Sequence, residues 1–265
     1  MLYIAMVLSH VFLRRFMGGP LAITASALFV SGFHPLAINA GTIGGWSVAD
    51  EAIFYACLPL LFACIKSLNS ALRWLVVGMV SGVMLSRVLC LFFPRHIEFF
   101  QFFSFTAEYP IFLMGIAGFF VWKELLQFAE KRRQISIMLL ILAAAFYESL
   151  LPFHYSTLYQ ESLVALLFLL ALALHPWALF VNPVTRFLGR ISYSIYLLHF
   201  FPCIYPQGSI SGDPVPRLVL CFCGTMAVTV PAAYITWRWV EEPGRRAGRR
   251  LIGYLEAKSS EHQIA

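Results

Sequence analysis

The chain alternates long apolar runs with short polar breaks. Residues 1–17 form a first apolar segment ending at Arg14-Arg15, and Gly18-Gly19-Pro20 break it. Residues 21–33 are apolar but only thirteen long, short of the roughly 20 residues that cross a bilayer. They predict a tilted short span or a re-entrant hairpin. Residues 34–46 read as loop, because Pro35, Asn39, Gly41, Gly44 and Gly45 are turn residues. A helix follows over about 48–65, closed by Lys66 and Asn69-Ser70. Further spans are expected at about 73–93, 107–122, 135–151, 162–181, 191–205 and 217–240, with short connections. The pattern predicts an all-α, polytopic helical membrane protein with eight or nine transmembrane segments. It is read as one transmembrane domain over 1–240 and a basic tail over 241–265. The alternating ten-residue segments of a β-barrel are not visible.

Composition agrees. The chain is 60% hydrophobic and 12% charged, about half the charge of a soluble domain. Mean hydropathy is +0.78. Net charge is +6, which in a soluble protein would raise the question of nucleic acid. Here the basic residues lie in short loops, so they orient the chain in a membrane and no nucleic-acid partner is expected. With the tail taken as cytoplasmic, Lys66, Arg73, Lys123, Lys131, Arg132, Arg133, Arg186, Arg190, Arg238, Arg245, Arg246, Arg249, Arg250 and Lys258 fall inside, fourteen of the nineteen Lys and Arg. Arg95 and Arg217 fall outside, and Arg87 lies within a span. Arg14 and Arg15 are inside if 21–33 crosses and outside if it is re-entrant. Met1 opens directly onto an apolar run, so no cleavable signal peptide is expected. The six cysteines sit in or near apolar segments and read as small buried hydrophobes, with no metal site.

Three constellations carry candidate chemistry. The first is Trp46-Ser47-Val48-Ala49-Asp50-Glu51-Ala52-Ile53-Phe54-Tyr55. Ser47 reads as an N-cap, and Asp50 completes a Ser-x-x-acid capping box. Ser47, Glu51 and Tyr55 share a helix face at i, i+4, i+8. A carboxylate where hydrocarbon begins is expensive, so Glu51 needs a partner or a role beyond capping. The second is Ser192, Tyr196 and His199, a polar stripe at i, i+4, i+7. It either makes interhelical hydrogen bonds or lines a cavity. The third runs from Tyr234 through Glu241, Glu242 and Pro243 to Arg245, Arg246, Arg249 and Arg250. Pro243 is expected to stop the helix. The arginines either meet anionic lipid or bind a phosphate-rich donor. Arg87, alone in an apolar run, either pairs with Glu108 or Glu51 or snorkels to the surface.

At these constellations the chain resembles the acyltransferase 3 family of bacterial membrane O-acyltransferases. Trp46, Ser47, Glu51, Phe54 and Tyr55 match the family's W-S-L-S-V-E-x-x-F-Y. Leu188, Gly189, Ile191, Ser192, Tyr193, Ser194, Tyr196, Leu197 and His199 match its Leu-Gly-x-Ile-Ser-Tyr-Ser-x-Tyr-Leu-x-His. Glu241 and Pro243 match its Glu-x-Pro, and Phe112, Leu113 and Gly115 its mid-chain Phe-x-x-Gly segment. Ala49 and Ala52 depart from the pattern. So does the N-terminus: relatives carry first helices with a histidine expected to be the general base, and His10, Arg14 and Arg15 do not match them. The chain therefore resembles a member lacking about two N-terminal helices.

The resemblance implies transfer of an acyl group, usually acetyl, from acyl-CoA on the cytoplasmic side to a carbohydrate hydroxyl, in the bacterial inner membrane. Acyl-CoA is the donor substrate, with no bound cofactor. Glu51 and His199 are the expected catalytic residues, with His199 supporting the pocket. Trp46, Ser47, Tyr55, Ser192, Tyr196 and Arg87 are the expected acceptor-site residues. Arg190, Arg245 and Arg246 are expected to meet CoA phosphates. A sugar or lipid-linked substrate permease and an inactive, shortened relative are the alternatives.

Overall fold

The computed structural model describes residues 19–33, 37–38, 44–92, 100, 103–150, 158–200 and 214–264. The expectations on residues 1–17, His10, Arg14, Arg15, Arg95 and Cys203 lie outside the described residues. The helices are α1 (Gly19–Ala27), α2 (Gly45–Cys64), α3 (Leu68–Phe92), α4 (Phe105–Leu125), α5 (Arg132–Leu150), α6 (Leu158–Leu174), α7 (Pro183–Arg190), α8 (Ser192–Leu198), α9 (Pro214–Thr236) and α10 (Glu242–Ile264). Short 3-10 turns stand at Ser31–Phe33 and Ala129–Lys131, and a π turn at Trp237–Glu241. No strand occurs among the described residues.

Among the described residues, four helices are long and apolar enough to cross a bilayer: Gly45–Cys64, Leu68–Leu89, Phe105–Leu125 and the continuous Val215–Tyr254. A shorter apolar helix is Leu158–Leu174. The 21–33 segment folds as the nine-residue α1 and a 3-10 turn. At 1.5 Å per residue, α1 is about 14 Å long, half a hydrocarbon core. The described part of the expected 191–205 span is the seven-residue α8.

The chain divides into two compact units. Of the described residues, the larger holds those from 19 to 38 and from 45 to 182; the smaller holds Gly44 and those from 183 to 264. In the larger unit α3 packs on α4, α4 on α6 and α5 on α6. Small residues make these approaches possible. A side chain on Gly78 would collide with Leu113, and one on Gly82 would reach the Pro110 ring at 2.8 Å and the Thr106 carbonyl at 3.0 Å. Gly78 and Gly82 are four apart, so they share one face of α3, the spacing by which membrane helices come close. Polar bonds cross the same seam. Tyr109 donates to the Gly78 carbonyl at 2.9 Å and also bonds Ser81. Ser136 on α5 donates to the Ala171 carbonyl of α6 at 2.8 Å and accepts from Trp177 at 2.8 Å.

The buried set is mostly small: Ala49, Ala71, Ala117, Ala171 and Ala233, with Ser136, Ser194 and Thr229. The outward set is large and apolar, including Leu60, Phe62, Leu91, Phe92, Met138 and Trp239. A soluble fold would reverse this. In lipid there is no hydrophobic drive between helices, so close packing of small residues holds them and bulky residues face the chains. The cysteine expectation is corrected on the same ground. Cys57, Cys64 and Cys223 are exposed rather than buried, and lie on these apolar outer faces.

In the smaller unit α8 packs on α9. Pro243 does not stop the helix as expected. The π turn directly precedes it, where its ring would otherwise crowd the Trp239 carbonyl, and α10 continues.

Candidate active site

The larger unit carries the first constellation at the start of α2. The helix begins at Gly45, two residues before the expected cap. Ser47 is therefore inside the first turn, and the Ser47–Asp50 capping box is not formed. Asp50 is 1% exposed, and neither of its carboxylate oxygens has a hydrogen-bond partner among the described residues. The physical reason is packing. Gly32, in the 3-10 turn, lies so close that a Cβ there would overlap the Asp50 carboxylate and stand 3.4 Å from the Phe105 nitrogen. Glu108, another acidic residue, is half-buried on α4. Ser26 and Ser31 are also buried with hydroxyls unpartnered among the described residues. Nearby on α4, Ser104 and Thr106 bond at 2.9 Å, and Thr106 bonds Ser86 of α3 at 3.3 Å.

Glu51, one residue along, is half-exposed. Its Oε1 accepts a hydrogen bond from Tyr55 at 2.7 Å, which the i, i+4 spacing allows. Trp46 packs its ring on Phe103, with centroids 4.6 Å apart. Below Glu51, α2 and α4 enclose an apolar groove of about 360 Å³ lined by Phe54, Leu58, Phe62, Phe112, Gly115 and Phe119. Phe54 and Phe112 stack at 4.3 Å on its wall. Arg87 is exposed and makes no ion pair with Glu51 or Glu108. Of the two readings of Arg87, the geometry fits snorkelling.

The smaller unit carries the second and third constellations. Ser192 is exposed, and Tyr196 and His199 are half-buried. The Tyr196 hydroxyl donates to the Gly44 carbonyl at 3.2 Å. Gly44 has φ +76°, and a Cβ there would also strike the Phe200 ring, so glycine is required. His199 Nδ1 lies 2.7 Å from the Tyr196 carbonyl. A carbonyl only accepts, so this bond needs the proton on Nδ1 and leaves Nε2 with a free lone pair in the neutral ring. The Phe200 ring lies against the imidazole, with centroids 3.9 Å apart.

Two motifs that are far apart in sequence meet here. Ser194, fully buried on α8, donates to Glu241 Oε2 at 3.0 Å. The π turn ends at Glu241, and the wider turn offsets it from the helical register. The next carboxylate, Glu242, turns instead to Arg245 and Arg246, which both bond it. These bonds, Arg246 first and Arg245 second, hold the Glu242 carboxyl below its ordinary range. Arg190 ends α7 and is exposed.

By sequence Glu51 is the expensive carboxylate and Asp50 a capping residue. The structure makes Asp50 the more deeply buried of the two. The available signal was a second acidic residue beside Glu51 in an otherwise apolar helix.

These observations define a helical membrane protein that displays a histidine whose Nε2 has no partner among the described residues, and a tyrosine-bonded carboxylate. The chain matches the family described as an acyltransferase domain over residues 1–236, and so it belongs to the acyltransferase 3 family. Among curated proteins it is similar to O-acetyltransferase OatA of Staphylococcus aureus (strain MRSA252), at 23% identity over 234 residues, 82% of this chain and 38% of that protein. OatA of Staphylococcus aureus (strain NCTC 8325 / PS 47) is 22% identical over the same share of each. The chain thus spans a little over a third of the length of these relatives. No solved structure matches it.

Proposed function

We propose that this chain transfers an acetyl group from acetyl-CoA to a hydroxyl of a cell-surface carbohydrate. The observation that carries the reading is family membership over residues 1–236. The relatives' names supply acetyl as the group and oxygen as the acceptor atom.

Transfer needs a base for the acceptor O–H, a site for the tetrahedral oxyanion and a proton for the departing thiolate. His199 is assigned the proton steps, a larger role than the supporting one its motif implies, because Nε2 keeps a lone pair with no partner among the described residues. The acceptor oxygen attacks the thioester carbonyl as its proton passes to Nε2. The C–S bond then breaks, and CoA leaves with that proton. Glu51 orients the acceptor by accepting a second hydroxyl hydrogen bond, held in its rotamer by Tyr55. Trp46, Ser47, Tyr55, Ser192 and Tyr196 are assigned to acceptor binding by their motif positions, Arg87 is left to the surface that its exposure fits, and Arg190, Arg245 and Arg246 are assigned to the CoA phosphates by their charge. The chain sits in the bacterial inner membrane with eight or nine spans and a cytoplasmic C-terminus. Residues 1–240 act as one transmembrane domain, and lipid surrounds them.

The test is transfer of labelled acetyl from acetyl-CoA by membranes carrying this chain. His199→Gln is expected to lower the rate about 100-fold, the weight of a general base. Glu51→Gln is expected to raise KM for the acceptor more than it lowers kcat. If both variants transfer at the wild-type rate, the assignment fails.

A further inference from the structure

Glu242, Arg245, Arg246 and Arg249 lie at i, i+3, i+4 and i+7, on one face of α10. The carboxylate is at the bottom of the group. Its side chain is 9% exposed, against 52%, 59% and 62% for Arg245, Arg246 and Arg249. Arg245 donates to Oε2 through Nε at 2.9 Å and also through Nη2. Arg246 donates to Oε1 through Nε at 2.8 Å. Arg249 brings Nη2 to 3.8 Å from Oε1.

Each guanidinium has five N–H donors in a rigid fork, and one carboxylate takes only an edge of each. The remaining donors make no hydrogen bond to Glu242. Four side chains thus carry a net charge of +2 within two helical turns, with their inner edges fixed. The outer side is open, since all three arginine side chains are more than half exposed. Planar forks match phosphate oxygens two at a time, which an ammonium does not.

We infer that Arg245, Arg246 and Arg249, organised by Glu242, form a cradle for a phosphate group. Glu242 is its positioning residue. The ligand chemistry is a phosphate ester, carried either by CoA or by an anionic lipid headgroup. The CoA source rests on the donor reading above. Binding is read without turnover, so failure of the cradle and failure of acetyl transfer are separate results.

The rival account is a diffuse positive belt at the membrane surface, in which Glu242 merely cancels charge. The two differ in sign. Glu242→Gln adds one positive charge, so a diffuse belt would bind anions more tightly. A cradle loses its organiser and binds more weakly despite the added charge. Arg245→Lys keeps the charge and loses the fork. The full chain in neutral-lipid nanodiscs is titrated with coenzyme A in one arm and with short-chain phosphatidylglycerol in the other.

Weakening by about tenfold in both variants, the scale of one charge-assisted hydrogen bond, is expected. In the CoA arm it assigns a soluble phosphate ligand, and in the lipid arm alone a headgroup. Unchanged or tighter binding in both arms overturns the cradle. If Glu242→Gln does not fold, Arg245→Lys decides on its own, since it leaves Glu242 in place.

Discussion

Asp50 and Glu242 are both buried carboxylates near the start of a helix, and their surroundings are opposite. Asp50 is 1% exposed and has no hydrogen-bond partner among the described residues. Glu242 is 7% exposed and faces three arginines. A buried carboxylate costs far more when nothing compensates it. Glu242 is therefore explained by its own helix, four residues of one face satisfying one another. Asp50 is not, because the groups around it come from elsewhere and none of them donates. The comparison separates a carboxylate that stabilises local structure from one that the fold holds at a cost. In a membrane segment the second kind is the functional candidate.

The sharpest way to break this contrast is at Gly32. Gly32→Ala places a methyl on the Asp50 carboxylate and is expected to cost about 3 kcal/mol, the upper end for overpacking. Thermal unfolding in detergent reads it. No loss would mean that Asp50 has room to turn away, and the burial argument would fail.

Next are matched replacements at the two carboxylates. Asp50→Val removes an unsatisfied buried polar group with little change of volume, at a position where the family pattern itself has Val. It is expected to raise stability by about 1–2 kcal/mol. Glu242→Val leaves three converging arginines uncompensated and should lower the unfolding temperature. Shifts of the same sign at both sites would erase the distinction. Should Asp50→Val also abolish acetyl transfer while raising stability, the residue belongs to the active machinery.

The smallest effect is with pH. The Glu242 carboxyl is held below its ordinary value, 4.5, by Arg246 and then Arg245. Its contribution is therefore fully present above that value and lost as pH falls through the lowered one. Wild type is expected to lose a little stability at this site in mildly acidic buffer below pH 4.5, and Glu242→Val to lack that component. Salt should do the same, because the guanidiniums are more than half exposed.

Local features were legible in advance. The Glu51–Tyr55 bond follows from a spacing of four. Helical boundaries were less so. Gly44 and Gly45 read as loop, yet α2 starts at Gly45, because Gly44 takes the left-handed turn and leaves Gly45 free to be helical. Pro243 read as a stop, yet the π turn carries the helix past it. Both errors come from judging a residue by its propensity where the neighbouring turn decides.

By itself, the sequence determined that this is a helical membrane protein of the acyltransferase 3 family. Apolar run length sets the solvent, and motif order sets the kinship. Only the tertiary structure decided which polar groups are buried and what they meet. Asp50 is sealed by Gly32, eighteen positions earlier in the chain, and Glu241 is held by Ser194 across a separation of 47. The reason is physical. In water, hydrophobic periodicity marks the buried face of a helix. In lipid both faces are apolar, so the pattern locates the helix without saying which side packs, and the small residues that admit a neighbour become visible only once the neighbour is in place.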